Sequence, residues 1–290
     1  MRLGQEGVGD IMLVDVVKGF AQAKAFDLED ARPVLKINYH IEGSDDITQI
    51  KDSDIIVITA GLARKPGMTR EELLVKNSQI LKEVCSSIKK FSPNSIVIVV
   101  TNPLDLMTYL AVKQLGFKAN KVLGMGISLD AARFANLVSK ELNIPVTDID
   151  ASVIGSHGEA MLPLSRFTTI KGVSLDEFLD DKKVEALIAK TIGRGAEIVS
   201  LLGSGSAYFA PSAAIASLVK AIAKDEKRTI GVCAYLNGEY GIKDVCIGVP
   251  CRLGKSGIEK IIELELNSQE IEKLTKSAES IRQLANQLSL

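Results

Sequence analysis

Several side chains in this sequence stand where they could move a proton and grip an anion. His157 lies in Gly155-Ser156-His157-Gly158-Glu159 and is one of two histidines, the other being His40. An imidazole exchanges a proton near neutral pH, and flanking glycines let a substrate approach it closely. Asp130 and Arg133 are three apart on a predicted helix and so share a face. Arg64 and Arg70 fall in Gly61-Leu62-Ala63-Arg64-Lys65-Pro66-Gly67-Met68-Thr69-Arg70. Two guanidiniums on one loop can meet a single anionic ligand, each bidentately. Asn102, in Thr101-Asn102-Pro103, can both donate and accept hydrogen bonds. Taken singly, each has a plainer reading: a structural histidine, a surface ion pair worth under about 1 kcal/mol, a solvated charged loop, a turn-forming Asn-Pro.

A scaffold must carry these residues, and the chain supplies one by alternation. Ile11-Met12-Leu13-Val14 reads as a buried strand ending at Asp15, and Val16 to Asp30 is helix-like. Lys36 to His40 reads as a short strand. Ile55 to Gly61 is a β-branched run ending in glycine, a strand that feeds a loop. Glu71 to Phe91 sets Leu73, Leu74, Ile80, Leu81, Val84 and Ile88 near helical spacing. Ser95 to Thr101 is a strand, Leu104 to Leu115 a helix and Lys121 to Gly126 a short strand. Continuous apolar strands alternating with helices predict an α/β fold with a parallel sheet covered on both faces.

Near Ile127 the pattern changes. Ser128 to Leu142 is helical, and Ile149 to Ile154 is a strand running into the glycines around His157. Leu162 to Ile170 reads as a strand, Asp181 to Leu202 and Ala207 to Ala223 as helices, and Thr229 to Leu236 and Val245 to Cys251 as β-rich. A last helix from about Asn267 carries Ile271, Leu274, Ala278, Ile281, Ala285 and Leu288 on one stripe, after a capping-box-like Asn267/Glu270 start. It is expected to pack on its own domain. The division is therefore residues 1–127 as a first domain and 128–290 as an α+β second domain.

Composition narrows the classes. The chain has 290 residues, and about 150 per domain favours two. Hydrophobic residues at 46% and charged residues at 24% exclude wholesale disorder. A net charge of -1 and no long basic run argue against nucleic acid as a partner. The apolar runs Ile55 to Ile58 and Ile96 to Val100 fall far short of the ~20 residues of a membrane span. Cys85, Cys233, Cys246 and Cys251 form no CxxC pair, so reduced core thiols are expected and no metal site. With no signal-peptide pattern at Met1 to Gln5, the expected address is the cytoplasm.

Asp15 has one further reading. In a dinucleotide-binding sheet, an acid at this strand end accepts hydrogen bonds from the adenosine ribose hydroxyls and repels a 2'-phosphate, favouring NAD over NADP. The plainer alternative is a solvated strand-end aspartate. The glycine fingerprint that normally lies ~20 residues before such an acid is absent. Gly7-Val8-Gly9, Gly124-Met125-Gly126 and Gly203-Ser204-Gly205 are read as turns or close-packing glycines.

The order of these signals says more than any one of them. Val14-Asp15, Thr59-Ala60-Gly61 with the Arg64 to Arg70 loop, Asn77, Val100-Thr101-Asn102-Pro103, Leu129-Asp130-Ala131-Ala132-Arg133-Phe134 and Gly155-Ser156-His157-Gly158 follow one another. This set resembles the lactate/malate dehydrogenase family along essentially the whole chain, most closely its lactate-dehydrogenase-like malate dehydrogenase branch. The resemblance implies a Rossmann-type doubly wound sheet followed by a substrate domain, with NAD as cofactor. It also implies a tricarboxylic acid cycle dicarboxylate, malate or oxaloacetate, as small-molecule partner, and a homodimer or homotetramer.

It further implies roles. His157 is the general base and Asp130 orients it. Arg133 clamps the carboxylate beside the reacting carbon, Arg70 polarises the carbonyl, and Asn102 contacts substrate and the nicotinamide ribose. Asp15, Asn77, Val100 and Thr101 join Asn102 in holding the cofactor. Lactate-specific members usually carry glutamine where Arg64 stands, and a second cation there matches the distal carboxylate of a dicarboxylate. The alternatives are a dehydrogenase of lactate or another 2-hydroxy acid, or a non-catalytic remnant with impaired NAD binding.

The family's first strand, glycine-rich turn and most of its first helix have no counterpart in this sequence. Met1 to Gly7 resembles the tail of that helix. Two expectations follow: a native chain that begins upstream of Met1, or a genuinely shortened protein. In either case Ile11 to Val14 should be unpaired on one side, and the strand at Ile55 should gain a second open edge.

Overall fold

The computed structural model describes residues 1–62, 70–203 and 205–287. In chain order its elements are α1 (Arg2–Glu6), β1 (Ile11–Val14), α2 (Phe20–Leu35), β2 (Ile41–Ser44), β3 (Ile55–Ile58), α3 (Arg70–Phe91), β4 (Ile96–Val99), α4 (Leu104–Leu115), β5 (Val122–Gly124) and α5 (Ile127–Leu142). There follow β6 (Ile149–Asp150), β7 (Val153–Gly155), β8 (Met161–Pro163), β9 (Thr169–Ile170), β10 (Val173–Ser174), α6 (Asp181–Leu202) and α7 (Phe209–Ala223). The chain continues with β11 (Arg228–Asn237), β12 (Lys243–Gly254), β13 (Gly257–Ile261) and α8 (Ser268–Gln287).

Parallel pairing dominates the first half, as continuous apolar strands require. β3 pairs β4 and β4 pairs β5, both parallel. All four residues of β4 are buried, because helices cover both faces and strands flank both edges. β1 behaves differently. It pairs only β2, Ile11 opposite Ile41, and this two-stranded sheet is separate from the larger one. A cleft of about 1950 Å³ lies between Ile11–Val14 and Ile55–Ile58, floored by α3 and α7 residues such as Val84 and Val219. In the usual doubly wound order one more parallel strand stands between these two positions. The open edges expected from the sequence are therefore present. They explain why every residue of β1 and three of four in β3 are only partly buried despite apolar side chains.

The larger sheet does not stop at residue 127. β5 passes to β11 through antiparallel pairing of Gly124 with Cys233, and β11, β12, β7 and β8 continue the sheet. One surface of strands thus runs from the Ile55 edge to the loop that bears His157.

Three sequence-based expectations are corrected. Lys36 to His40 is not a strand: α2 runs on to Leu35, Lys36 caps it in the left-handed region, and the strand begins at Ile41. Tyr39 instead turns inward against Gly4, its hydroxyl donating to Leu28 O at 2.7 Å. Ile149 to Ile154 splits into β6 and β7, which belong to different sheets. Leu162 to Ile170 is not one strand, since a short 3-10 turn at Ser165–Phe167 separates β8 from β9.

The closing helix starts as the capping box predicts. Asn267 N donates to Glu270 Oε2 at 2.7 Å, and Glu270 N donates to Asn267 Oδ1 at 3.0 Å. Leu274, Ala278, Ile281 and Ala285 are buried against the chain's own strands, while Ile271 stays exposed. The four cysteines are buried and free. No helix among the described residues is long and apolar enough to cross a membrane.

Candidate active site

The chemistry-bearing residues meet where α4 and α5 begin and β7 ends. α5 starts directly after Gly126, so Asp130 lies in its first turn, where the helix dipole favours an anion. Its side chain is fully buried. Asp130 Oδ2 accepts a hydrogen bond from His157 Nδ1 at 2.7 Å, and Oδ1 accepts one from Arg133 Nη1 at 3.2 Å. With Nδ1 tied to the carboxylate, Nε2 is the nitrogen left for a substrate.

Gly126 makes the approach possible, since a Cβ there would overlap the Leu104 side chain and lie 3.0 Å from His157 Cβ, so that both would have to shift.

Burial of His157 works against a charged ring. The hydrogen bond and the charge of Asp130 outweigh it, and the imidazole is held above its ordinary range, with Asp105 adding to this in so far as it is ionised and Arg133 opposing. The side chain is 18% exposed, enough for contact with a small molecule.

The loop around His157 is fastened from two further helices. Asp105 in the first turn of α4 accepts through Oδ2 from Ser156 Oγ and from His157 N, both at 2.8 Å. Ser156 N donates to Ser277 Oγ on α8 at 2.9 Å, and Ser277 Oγ donates to Ala160 O at 3.2 Å. Sequence reasoning passed over Asp105 and Ser277. A signal existed for Asp105, the one acid in the apolar run Leu104-Asp105-Leu106-Met107 of a helix buried nearly all round. Ser277 gave none, being one serine among several on a polar helix.

The remaining residues line the C-terminal edge of the parallel strands. Asp15 follows β1, half exposed, with Oδ1 accepting from Val17 N at 2.9 Å. Val100 N donates to Ile58 O at 2.9 Å, and buried Thr101 donates through Oγ1 to Ala60 O at 2.6 Å. Asn102 is exposed and its bond to Pro103 is cis. Asn77, 1% exposed, accepts from Leu62 N at 2.8 Å and donates to Asn102 O at 2.9 Å, so its amide ties two loops together. The cleft between β1 and β3 reaches Asp15 and Thr59 to Leu62. Arg64 lies outside the described residues. Arg70 opens α3, and the position of its side chain is likewise outside them.

Residues 1–124 match the NAD binding domain of lactate/malate dehydrogenases, and residues 127–289 match the alpha/beta C-terminal domain of the same enzymes. The chain belongs to the lactate/malate dehydrogenase family. A malate dehydrogenase of Methanosarcina barkeri is 47% identical over 289 residues, covering 100% of this chain and 94% of its own length. Among solved structures, the apo malate dehydrogenase of Picrophilus torridus is 39% identical with a TM-score of 0.93, covering 98% of this chain and 93% of that one. A lactate dehydrogenase of Cryptosporidium parvum, complexed with lactic acid and nicotinamide adenine dinucleotide, is 33% identical with a TM-score of 0.95, covering 99% and 92%. Backbone shape is thus shared by both activities of the lactate/malate dehydrogenase family, and side chains must decide the substrate.

Proposed function

We propose that this chain is an NAD-dependent malate dehydrogenase that interconverts malate and oxaloacetate. The observation that carries the reading is the His157–Asp130–Arg133 cluster, set in a chain whose relative at 47% identity is named a malate dehydrogenase.

Bound NAD supplies the hydride acceptor at nicotinamide C4. The residues present suit its ribose and nicotinamide ends: the strand-end acid Asp15 for ribose hydroxyls, and Val100, Thr101 and Asn102 at the end of β4. Asn77 acts beneath them, holding the Leu62 and Asn102 backbones in place.

Substrate would sit between Arg133 and His157. Arg133 takes the carboxylate next to the hydroxyl-bearing carbon, bidentately. His157 Nε2 accepts the hydroxyl proton as the C2 hydride leaves, and the imidazolium is stabilised through Nδ1 by Asp130. Arg70 would polarise the carbonyl on whose oxygen negative charge grows during oxaloacetate reduction. Arg64 pairs with the distal carboxylate. Pyruvate would leave that guanidinium unpaired, which disfavours lactate chemistry.

Residues 1–127 form the cofactor half and 128–290 the substrate half on this reading. Self-association as a homodimer or homotetramer is supported by exposed apolar side chains on α2 and α7, Phe26 at 64% and Phe209 at 75%. A cytoplasmic address fits a pathway enzyme that lacks any described membrane-crossing helix. The test is NADH oxidation by the 290-residue chain with oxaloacetate against pyruvate. Turnover preferring oxaloacetate supports the reading, preference for pyruvate replaces it with lactate dehydrogenase, and failure to bind NADH points to a non-catalytic remnant.

A further inference from the structure

We propose that the cleft between β1 and β3 is a strand-accepting site, which takes an extended apolar segment of a partner polypeptide and hydrogen-bonds it from both walls. The proposal does not depend on the dehydrogenase reading.

Hydrogen-bond parity defines the walls. Ile11 N and Asp15 N donate to His40 O and Ser44 O at 3.0 and 3.1 Å, so the odd-numbered residues from Ile11 to Asp15 bond toward β2. Asp54 O and Ile58 O accept from Ile96 N and Val100 N at 2.8 and 2.9 Å, so the even-numbered residues from Asp54 to Ile58 bond toward β4. Successive residues of a parallel strand turn their backbone groups to opposite neighbours. The N–H and C=O groups of Met12, Val14, Ile55 and Val57 therefore point into the cleft, and all four residues line it. No described strand pairs with β1 or β3 on that side.

The helices above and below define what fits. Ile55 and Val57 pack into the apolar cluster that holds Val219 and Ile222 of α7, whereas Ile56 and Ile58 belong to the one that holds Ile88 of α3. A strand between β1 and β3 is thus covered on both faces, and its side chains are apolar at every position rather than at alternate ones. β1 and β3 have four residues each, which sets the segment at about five residues. A hydrocarbon would fill the space but leave the inward amides and carbonyls unpaired beside apolar walls, a costly arrangement. An extended backbone brings donors and acceptors at the matching interval.

The seated segment would also steady the ligand end of the cleft. β1 leads to Asp15 and β3 to Thr59–Leu62, on opposite walls. A strand bonded to both walls fixes their separation, whereas the sheet of β1 and β2 has no strand in common with the larger sheet.

The probe is a synthetic peptide, acetyl-Lys-Val-Ile-Val-Val-Ile-Lys-amide, added to the 290-residue protein while amide hydrogen exchange is followed residue by residue. The expected result is saturable one-to-one binding. Exchange at Met12, Val14, Ile55 and Val57 slows by about tenfold or more, and exchange at Ile96–Val99 stays as it was. A copy of the peptide N-methylated at alternate residues can donate to one wall only, and it should bind about tenfold more weakly or worse. Equal binding of the methylated copy marks a merely apolar pocket and overturns the proposal. Unchanged exchange at the four amides overturns it as well. If those amides slow on raising the protein concentration without peptide, the edges belong to a second copy of this chain, and the partner polypeptide is refuted. Oxaloacetate turnover does not enter the test, so its presence or absence judges the dehydrogenase reading alone.

Discussion

Ser156 N and Ser277 Oγ are joined by a hydrogen bond of 2.9 Å, so the last helix of the chain holds the residue next to His157. Ser277 is 3% exposed. Ser277→Ala leaves a shielded amide without its acceptor, at a cost of about 1–3 kcal/mol in stability. Denaturant unfolding measures this. Kinetics of the same variant should show kcat reduced more than KM is raised, because the loop, not the substrate contacts, is loosened.

Asp130 meets both a histidine and an arginine without exposure to water. Asp130→Asn keeps the shape but removes the charge that, in the proposed mechanism, stabilises the imidazolium and orients the tautomer. Turnover of oxaloacetate should fall by about 100-fold or more. A loss under tenfold, or a loss confined to KM, would refute the orienting role.

His157 is held above the ordinary histidine value of about 6.5. In the proposed mechanism, malate oxidation needs the neutral ring and oxaloacetate reduction the protonated one. The sign is therefore opposite in the two directions. Oxidation should rise with pH through the His157 midpoint, and reduction should fall through it, with both transitions above the ordinary value. Profiles of kcat/KM in each direction locate them, and a midpoint below that value in both would contradict the geometry of the Asp130 bond.

On the proposed reading, Arg64 carries the choice between dicarboxylate and monocarboxylate. Arg64→Gln should lose kcat/KM for oxaloacetate by about 100-fold, equivalent to about 3 kcal/mol, while pyruvate activity holds or rises. Equal losses on both substrates would remove the basis for preferring malate.

β1 and β3 each face the cleft with an open edge, whereas β4 is paired on both sides. Native-state hydrogen exchange of the 290-residue chain should show weaker protection at Ile11–Val14 and Ile55–Ile58 than at Ile96–Val99. Equal protection across the three strands would mean that the edges are covered in solution.

Much of this molecule was legible without coordinates because its signals are local. β3, β4, α4 and the capped start of α8 follow from apolar periodicity and from end-cap residues a few positions apart. The ordered blocks around Asp15, Asn102, Asp130 and His157 marked the family for the same reason. Tertiary structure decided what depends on residues far apart in the chain. It set β2 at Ile41 rather than Lys36, because Tyr39 found a buried niche against Gly4. It carried one sheet across residue 127 through Gly124 and Cys233. It turned Asp105 and Ser277, undistinguished in the sequence, into anchors of His157, because a hydrogen bond requires proximity in space and two helices begin or pass within reach of that loop.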